Sequence, residues 1–324
     1  MSEKQNLLEI KNLSVRYVTV DGAVHAVEDL SLTLEPGQTL GLVGETGAGK
    51  TTTVKTVMGI LPVPPAKVTS GEILFEGRDL LHTPEREMRR IRGKQISMIF
   101  QDPMTSLNPV ITVGRQIEEA IRLHNPVSRA EATERAHKML ELVGIKAERA
   151  DDYPHQFSGG MKQRVVIAMA LACGPKLLIA DEPTTALDVT IQAQVLELMK
   201  RLKRELNTSM IMITHDLGIV AEICDRVAIM YAGEIVESGT REHIFRNAQH
   251  PYTKGLFACI PNMMDEESEL IPIPGMMPDP TDLPRGCRFM PRCAHACEKC
   301  ACVPPTVETE PGHRVKCVLF DKGE

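Results

Sequence analysis

A glycine-rich octapeptide is the first stretch of the chain whose residue types and spacing could do chemistry. Residues 44–51 read GETGAGKT and match the pattern G-x-x-x-x-G-K-[ST] of phosphate-binding loops. An apolar strand-like segment, TLGLV, precedes the loop, and the helix-like segment TTTVKTVM follows its lysine. Backbone N–H groups in such a loop turn toward phosphate oxygens, and the helix N-terminus adds partial positive charge. We therefore predict that this loop binds the phosphates of ATP.

Two positions of the loop have specific expected roles. Lys50 should reach the β- and γ-phosphates, and the Thr51 hydroxyl should bind Mg²⁺. An accidental glycine-rich turn is disfavoured because the lysine, the threonine and both flanking elements agree. The remaining predicted nucleotide contacts of the loop are Gly44, Glu45, Thr46, Gly47, Ala48, Gly49 and Thr52.

An acidic pair follows a second apolar run. Asp181 and Glu182 come directly after LLIA, so their carboxylates should emerge at the carboxyl end of a strand, where phosphates and Mg²⁺ lie in phosphate-loop folds. Asp181 is expected to hold Mg²⁺, chiefly through water. Glu182 is the candidate that polarises the attacking water, a role worth about 10²–10⁴ in rate. An acidic pair that only caps a helix is disfavoured by the phosphate loop in the same chain.

Six cysteines crowd into the last forty residues, and this clustering needs a local explanation. In a reducing compartment, metal ligation is favoured over a disulfide framework. Sulfur ligands suit both an iron–sulfur cluster and zinc, and spacing alone does not separate these two from free or redox-active thiols. Cys173, Cys224 and Cys259 are expected to be buried apolar residues. The clustered positions are Cys287, Cys293, Cys297, Cys300, Cys302 and Cys317.

Hydrophobic patterning predicts the elements that position these residues. Strands alternating with helices indicate an α/β fold with a parallel core, and residues 110–144 indicate a helical insertion between two α/β halves. The predicted strands are LLEIKNLSVRYV, SLTLEPGQTLGLVG, GEILFEGRDL, KLLIADEP, SMIMITHD and DRVAIMYAGEIVESG. The predicted helices are TTVKTVMGIL, VGRQIEEAIRL, RAEATERAHKMLELVG and AQVLELMKRLKREL.

Composition excludes several classes of function. A net charge of −6 argues against a protein that coats nucleic acid or an anionic bilayer. The first residues lack the apolar core of a signal peptide, so we expect a cytoplasmic chain. No uncharged apolar stretch of about 18 residues occurs, so any membrane role should use a partner. After about Gly239 the periodicity fades and prolines concentrate, with eleven of the 22 between Pro251 and Pro311, which indicates a separate loop-rich appendage.

Residues 157–163, FSGGMKQ, resemble the signature motif of the ATP-binding-cassette (ABC) ATPase family, usually written LSGGQ. Phe157 and Met161 replace the usual leucine and glutamine and leave the Ser-Gly-Gly anion contact intact. The resemblance implies that Ser158, Gly159 and Gly160 contact the γ-phosphate of ATP held by an opposite subunit. Two cassettes should therefore close head to tail.

Four further positions complete the resemblance over about residues 8 to 240. Gln101, in IFQDP, is similar to the glutamine of the Q-loop, which contacts Mg²⁺ or water and relays the nucleotide state to the helical insertion. His215, after MIMIT, is similar to the switch histidine that contacts the γ-phosphate. Asp188 resembles the D-loop aspartate at the dimer seam. Tyr17 stands where the family stacks an aromatic ring on adenine, although an aromatic residue at a strand end is also commonly part of the core.

The segments FQDPMTSLNP and ADEPTTALDVTIQAQVL resemble the peptide-importer branch of the family, of which nickel importers are close relatives. HPYTKGL at 250–256, PIPG at 272–275 and the cysteine-containing tail agree, so the resemblance covers nearly the whole chain. It implies a phosphate-loop ABC core with an N-terminal antiparallel β-subdomain, a helical signature subdomain and a loop-rich C-terminal extension. It also implies a [4Fe–4S] cluster on Cys287, Cys293, Cys300 and Cys317.

The resemblance thus leads to a complete set of expectations. We predict a nucleotide-binding domain over residues 1–245, with its helical subdomain at about 102–165, and an extension over residues 246–324. The chain should hydrolyse ATP with Mg²⁺ on the cytoplasmic face of the membrane. Its expected partners are a related second ATPase, two membrane permease subunits that dock near residues 102–109, and an extracytoplasmic substrate-binding protein, but no nucleic acid.

The sequence bears on three alternatives to a peptide importer. A soluble ABC ATPase that acts on ribosomes or DNA usually carries twin cassettes or a coiled-coil insertion, and this sequence has one phosphate loop. Exporter cassettes are commonly fused to membrane helices. Within importers, nickel or another small solute stays open as the cargo, because selectivity lies in the binding protein and the membrane subunits.

Overall fold

The computed structural model describes residues 6–20, 22–185, 187–259 and 272–321. By its internal contacts the chain divides into two compact units. The first comprises Met1–Leu8, Leu34–Thr39 and Phe75–Ile223, and the second comprises Glu9–Thr33, Leu40–Leu74 and Cys224–Glu324. The predicted boundary between residues 245 and 246 stays a prediction.

The strands, in chain order, are β1 (Leu8–Thr19), β2 (Gly22–Leu34), β3 (Thr39–Val43), β4 (Ala66–Phe75), β5 (Arg78–Asp79), β6 (Ile96–Ile99), β7 (Leu177–Asp181), β8 (Ser209–Ile213), β9 (Arg226–Tyr231), β10 (Glu234–Thr240), β11 (Thr306–Glu310) and β12 (His313–Lys316). The α-helices are α1 (Lys50–Met58), α2 (Glu85–Ile91), α3 (Pro103–Ser106), α4 (Val113–His124), α5 (Arg129–Leu142), α6 (Gly159–Leu171), α7 (Val189–Glu205), α8 (Leu217–Ile223), α9 (Arg241–Arg246) and α10 (Pro251–Ala258).

The first unit contains a parallel sheet in which β7 lies between β6 and β8. All three strands are buried along their whole length, as expected for parallel strands that read as continuous apolar runs. Ile99 pairs with Ala180, and Asp181 pairs with Ile213, so the three strands end in register. The residues that follow the strands therefore meet at one edge of this sheet.

The two helices predicted within residues 110–144 are present in the first unit as α4 and α5. In α4 the buried positions Val113, Ile117 and Ile121 recur every four residues and form one apolar face. This helix packs against α5 and α6. The Ser128 side chain accepts a hydrogen bond from the backbone N–H of Glu131 and caps the N-terminus of α5.

The second unit contains two groups of paired strands. β1 lies between β2 and β4. In the other group, β3 runs parallel to β9, and the antiparallel strands follow in the order β9, β10, β12 and β11. The phosphate loop and α1 follow β3 directly, as the sequence predicts.

Two strand predictions were wrong in detail. The stretch predicted as one strand, DRVAIMYAGEIVESG, is the hairpin of β9 and β10, because Ala232 and Gly233 both have positive φ and reverse the chain. The strand predicted to start at Ser31 begins at Gly22 and ends at Leu34, since a Pro-Gly turn separates it from β3. Neither a two-residue turn of this kind nor a strand start carries a strong apolar signal.

The last strands of the chain belong to the same sheet as β9 and β10. Glu237 in β10 pairs with Val315 in β12. The Glu237 side chain is fully buried, and its carboxylate accepts hydrogen bonds from the backbone N–H groups of Gln249 and His250 and contacts the His313 ring at 2.8 Å. Part of the proline-rich tail is thus built into a sheet of the second unit.

None of the helices in the described part of the chain combines the length and apolarity needed to span a lipid bilayer.

Candidate functional site

The phosphate loop closes on its own lysine. The Lys50 ammonium donates hydrogen bonds to the backbone oxygens of Gly44, at 2.7 Å, and of Glu45, at 2.8 Å. Only 7 % of Lys50 is exposed. Backbone contacts therefore hold the lysine in the loop.

Two glycines are required by the space around the loop. A Cβ added to Gly44 would lie 2.1 Å from the Met230 oxygen, and one added to Gly49 would lie 2.2 Å from the Ala26 oxygen. Gly49 also has φ +101°, which side-chain-bearing residues rarely adopt. Packing against β2 and β9 thus fixes the path of the loop before any ligand arrives.

The other predicted loop residues occupy the turn and the start of α1. Ala48 is buried, and its N–H donates to the Glu45 oxygen at 3.1 Å. Thr51 and Thr52 lie in the first turn of α1, whose N-cap is Gly49. The Tyr17 hydroxyl and the Thr52 hydroxyl are 3.2 Å apart, so the half-buried Tyr17 lies beside the helix that follows the loop. Thr46 and Gly47 are exposed.

Glu182 is the centre of a polar cluster in the first unit. Its Oε2 accepts hydrogen bonds from Gln101 Nε2, at 2.9 Å, and from Thr185 Oγ1, at 3.1 Å. Its Oε1 lies 3.2 Å from His215 Nδ1. The structure thus brings together the side chains of Gln101, Glu182 and His215, which are separated by up to 114 residues in the sequence.

The backbone of Glu182 is strained. Its φ is +48°, in the left-handed region that non-glycine residues rarely occupy. The Glu182 N–H donates to the Ile213 oxygen at 2.9 Å, which holds the residue at the edge of the sheet. Strain of this kind persists where the surroundings over-determine the conformation, and it is concentrated at functional sites.

The electrostatics of the cluster favour an ionised carboxylate. Partial burial raises the pKa of Glu182, but the hydrogen bonds from His215, Thr185 and Gln101 outweigh it and hold the pKa below the usual range. His215 is 68 % exposed, and Gln101 is also exposed. A charged base with hydrogen-bonding side chains around it can orient a water molecule and accept its proton. The neighbouring Asp181, at the end of β7, is 2 % exposed.

The predicted signature residues lie at the start of α6. The Ser158 hydroxyl accepts a hydrogen bond from the Met161 N–H at 3.4 Å and caps the helix. A Cβ on Gly160 would lie 2.5 Å from the Ile191 side chain, whereas one on Gly159 would be 3.9 Å from its nearest neighbour, Leu187. Gly160 is therefore needed for packing, and the space at Gly159 stays open.

Asp188 caps α7, because its Oδ1 accepts a hydrogen bond from the Ile191 N–H at 2.9 Å. Ala186, two residues before it, lies outside the described residues. The fully buried Gln163 of α6 donates through Nε2 to the Pro183 oxygen. This contact ties the signature helix to the segment that carries Glu182.

Comparisons with known proteins agree with these motifs. The family profile described as ABC transporter matches residues 27–185, and the profile described as oligopeptide/dipeptide transporter, C-terminal region, matches residues 236–300. The oligopeptide transport ATP-binding protein OppD of Bacillus subtilis is 55 % identical over 293 residues, which are 90 % of this chain and 82 % of that protein. OppD of Salmonella typhimurium is 52 % identical over 317 residues, 96 % of this chain and 93 % of that protein. This chain belongs to the ABC transporter family of ATP-binding subunits.

Solved ABC structures share the fold. A dimeric ATP-binding cassette in a post-hydrolysis state, bound to ADP and Pi, has a TM-score of 0.65 and 26 % identity, and the match covers 72 % of this chain and 98 % of that chain. CbiO1 from Clostridium perfringens, part of an ABC transporter complex, has a TM-score of 0.65 and 29 % identity, covering 75 % of this chain and 92 % of that chain. The predicted α/β cassette fold is confirmed, and as a member of this family the chain is an ATPase.

The predicted metal site in the tail of this ABC subunit is wrong. Among the described residues, no three His, Cys, Asp or Glu side chains are grouped so that they could hold a metal ion, and none of the nine cysteines, all of them described, forms a disulfide. Burial raises the pKa of the Cys287 thiol to about 11 and also raises the pKa of Cys293 and Cys317. The correction applies to the iron–sulfur cluster on Cys287, Cys293, Cys300 and Cys317 and to zinc.

The thiols also differ in burial from what the sequence predicted. Cys224 is buried, as expected, and Cys173 is half-buried, but Cys259 is exposed. The sulfur atoms of Cys297 and Cys300 in the tail lie 3.8 Å apart. Their spacing of three residues across a single 3-10 turn accounts for this approach.

Sequence reasoning missed one residue beside Glu182 and two residues that pack against the phosphate loop from outside it. Thr185 donates to Glu182, and its place in the stretch DEPTT, three residues after Glu182, was an available signal. Tyr252 and Arg292 contact Glu45 in the phosphate loop from more than 200 residues away. Nothing in their local sequence distinguishes them, because a contact of this kind depends on how the tail folds back.

Proposed function

We propose that this chain is the ATP-hydrolysing subunit of an importer that takes up dipeptides and oligopeptides through separate membrane subunits. The ATPase part is carried by Glu182, an ionised carboxylate held by Gln101, Thr185 and His215. The peptide part is supported by the OppD relatives and by the match to the oligopeptide/dipeptide transporter C-terminal region.

In the proposed reaction, the phosphate loop holds ATP through Lys50 and its backbone N–H groups. The oxygen of a water molecule attacks the γ-phosphorus atom, and the bond between that phosphorus atom and the oxygen of the β-phosphate breaks. Glu182 accepts the proton of the water. His215 and Gln101, which now bind Glu182, are proposed to exchange these contacts for the γ-phosphate and the water. Positioning and charge neutralisation are the main requirements of phosphoryl transfer.

The residues proposed for Mg²⁺ fit its chemistry. The Thr51 hydroxyl, the Asp181 carboxylate and the Gln101 amide oxygen are all hard oxygen ligands, which Mg²⁺ prefers over nitrogen or sulfur. Asp181 is nearly buried at the end of β7, directly before Glu182. When bound, Mg²⁺ neutralises negative charge on the β- and γ-phosphates.

We further propose that ATP closes two cassettes head to tail. Ser158, Gly159 and Gly160 would contact the γ-phosphate of the partner's ATP, Asp188 would lie at the seam, and Tyr17 would stack on adenine. Moving such a closure equilibrium from 1:99 to 99:1 needs about 5.5 kcal/mol of differential binding, which two γ-phosphate sites can supply. The partner cassette is proposed to be a related second ATPase.

The other proposed partners lie at and beyond the membrane. Two permease subunits would dock near residues 102–109, which include α3, and an extracytoplasmic binding protein would deliver the peptide. The chain would then be a peripheral subunit on the cytoplasmic face. Cargo never reaches this chain, so a nickel or other small-solute importer would use the same ATPase site.

The test is uptake of a labelled dipeptide, a longer peptide and Ni²⁺ by host cells that carry chromosomal Glu182→Gln. We expect peptide uptake to be lost and Ni²⁺ uptake to be kept. Glu197→Gln, a change of an exposed glutamate on α7, is the matched control and should import peptides normally. Loss of Ni²⁺ uptake alone would instead assign the chain to a nickel importer, and unchanged uptake of all cargo would refute transport of these substrates.

A further inference from the structure

The C-terminal extension contacts the phosphate loop within the second unit. Arg292 Nη1 lies 3.1 Å from each carboxylate oxygen of Glu45, and the Tyr252 hydroxyl accepts a hydrogen bond from the Glu45 N–H at 3.1 Å. A Cβ on Gly47 would lie 2.9 Å from the Met277 methyl group. Three residues of the region after β10 thus touch consecutive parts of the loop.

Glu45 poses an electrostatic problem for the loop. It follows Gly44 directly, and its own backbone oxygen accepts a hydrogen bond from Lys50. The ligand of the loop is a polyphosphate, so a carboxylate at this position repels it unless the charge is compensated. Lys50 must compensate the phosphates, which leaves Arg292 as the cation that pairs with the Glu45 side chain.

Arg292 is fixed for this task. Its side chain is 6 % exposed, its Nε donates to the Pro274 oxygen at 2.9 Å, and its guanidinium lies over the Tyr231 ring, 5.8 Å from the centroid. An arginine held on several sides cannot leave Glu45 by a simple rotamer change. The pairing is therefore a property of how the extension packs, and it is lost only if that packing changes.

We propose that Arg292 is a positioning residue that neutralises Glu45, so that the C-terminal extension sets the affinity of the phosphate loop for ATP. The inference rests on the proposed function, because it assigns a regulator to the same ATP site. Any partner or modification that moves the segment around Arg292 would then weaken ATP binding without touching the residues that hydrolyse it.

The test is the affinity of the purified full-length chain for Mg–ATP, measured by calorimetry, together with KM and kcat of ATP hydrolysis. Arg292→Gln leaves the Glu45 charge uncompensated and should weaken ATP binding by about tenfold, with kcat at saturating ATP unchanged. Glu45→Gln removes the repelling charge and should tighten binding. The double variant should bind ATP more tightly than Arg292→Gln.

Opposite signs for the two single variants separate this electrostatic role from a structural one, since loss of a merely structural ion pair would weaken binding in both. Arg292→Lys keeps the charge, loses the Nε hydrogen bond to the Pro274 oxygen, and should retain most of the affinity that Arg292→Gln loses. Arg288→Gln is the matched control: Arg288 is also in the extension and nearly buried, but it binds Glu234 and the Ala232 oxygen instead of the loop carboxylate.

Two results would overturn the inference: an Arg292→Gln affinity within twofold of the unmodified chain, or a Glu45→Gln variant that binds ATP as weakly as Arg292→Gln. If Arg292→Gln does not fold, tighter binding by Glu45→Gln still supports the inference and unchanged or weaker binding still refutes it. Failure of the unmodified chain to bind Mg–ATP would refute the proposed function itself.

Discussion

In the phosphate loop the lysine bonds to backbone atoms, whereas the polar contacts around Glu182 run between side chains. Lys50 is nearly buried and bonds to two backbone oxygens, and glycines packed against neighbouring strands fix the path of the loop. Gln101 and His215 are exposed, and each contacts the Glu182 carboxylate. The loop is thus preformed for binding, while the cluster must exchange its hydrogen bonds when ATP and water arrive.

Removing the Glu182 carboxylate should separate the roles of the two regions most clearly. Glu182→Gln should lower the rate of ATP hydrolysis by about 10²–10⁴, because the base is lost, while the affinity for Mg–ATP is kept. Steady-state hydrolysis and calorimetric binding measure the two quantities, with Glu197→Gln as the control. A Gln variant that hydrolyses ATP at the normal rate would show that Glu182 is not the base.

One added methyl group should disrupt the preformed path of the phosphate loop. Gly44→Ala should lower the free energy of unfolding by about 3 kcal/mol and abolish ATP binding, because its Cβ would overlap the Met230 oxygen. Gly174→Ala is the control: Gly174 also has positive φ, but nothing lies within 4 Å of its Cβ, so we expect a loss of about 1 kcal/mol. Equal losses, measured by urea unfolding, would contradict a steric requirement at Gly44.

The buried histidine at the start of α10 should make the stability of the protein depend on pH. His250, which is 1 % exposed, accepts a hydrogen bond from the Tyr252 N–H, and burial lowers its pKa from 6.5 to about 4. The folded-state pKa is below the unfolded one, so the unfolded chain binds the proton first, and stability is lost as the pH falls from 6.5 toward 4. Between pH 7 and pH 5 the loss should be about 2 kcal/mol.

Urea unfolding of the native chain and of His250→Asn at both pH values isolates this contribution, since asparagine can also cap α10 but does not titrate. The variant should lose about 2 kcal/mol less between pH 7 and pH 5 than the native chain. The same pH dependence in both proteins would assign the effect to other groups.

The smallest expected effect compares two helix caps. Ser158→Ala and Ser128→Ala each remove a hydroxyl that caps a helix and should each cost about 1 kcal/mol of stability. Only Ser158→Ala should also lower ATP hydrolysis, because Ser158 is proposed to contact the partner's ATP. An equal change in hydrolysis for both variants would remove Ser158 from the site.

Local sequence patterns predicted much of the fold and of the candidate site. Helices α4, α5 and α7 follow from amphipathic spacing, and β6–β8 from continuous apolar runs that end in polar residues. The phosphate loop, Asp181 and Glu182 were found because their roles depend on neighbours along the chain. The β9–β10 hairpin was missed, since Ala232 carries no turn signal of its own and only Gly233 does.

The cysteine tail shows where a pattern fails. Six clustered cysteines predicted a metal site, but ligation needs several side chains to converge on one point, and spacing does not determine convergence. The same tail supplies Tyr252 and Arg292 to the phosphate loop, a contact that no spacing in the sequence indicated.

By itself, the sequence determined the phosphate loop, the order of strands and helices, and the residues proposed to bind ATP and activate water, because these depend on residues close together in the chain. Only the tertiary structure decided that Gln101, Glu182 and His215 share hydrogen bonds, and that Arg292 neutralises Glu45. Contacts between distant residues depend on how the elements pack, and packing is set by the shape and burial of many side chains together.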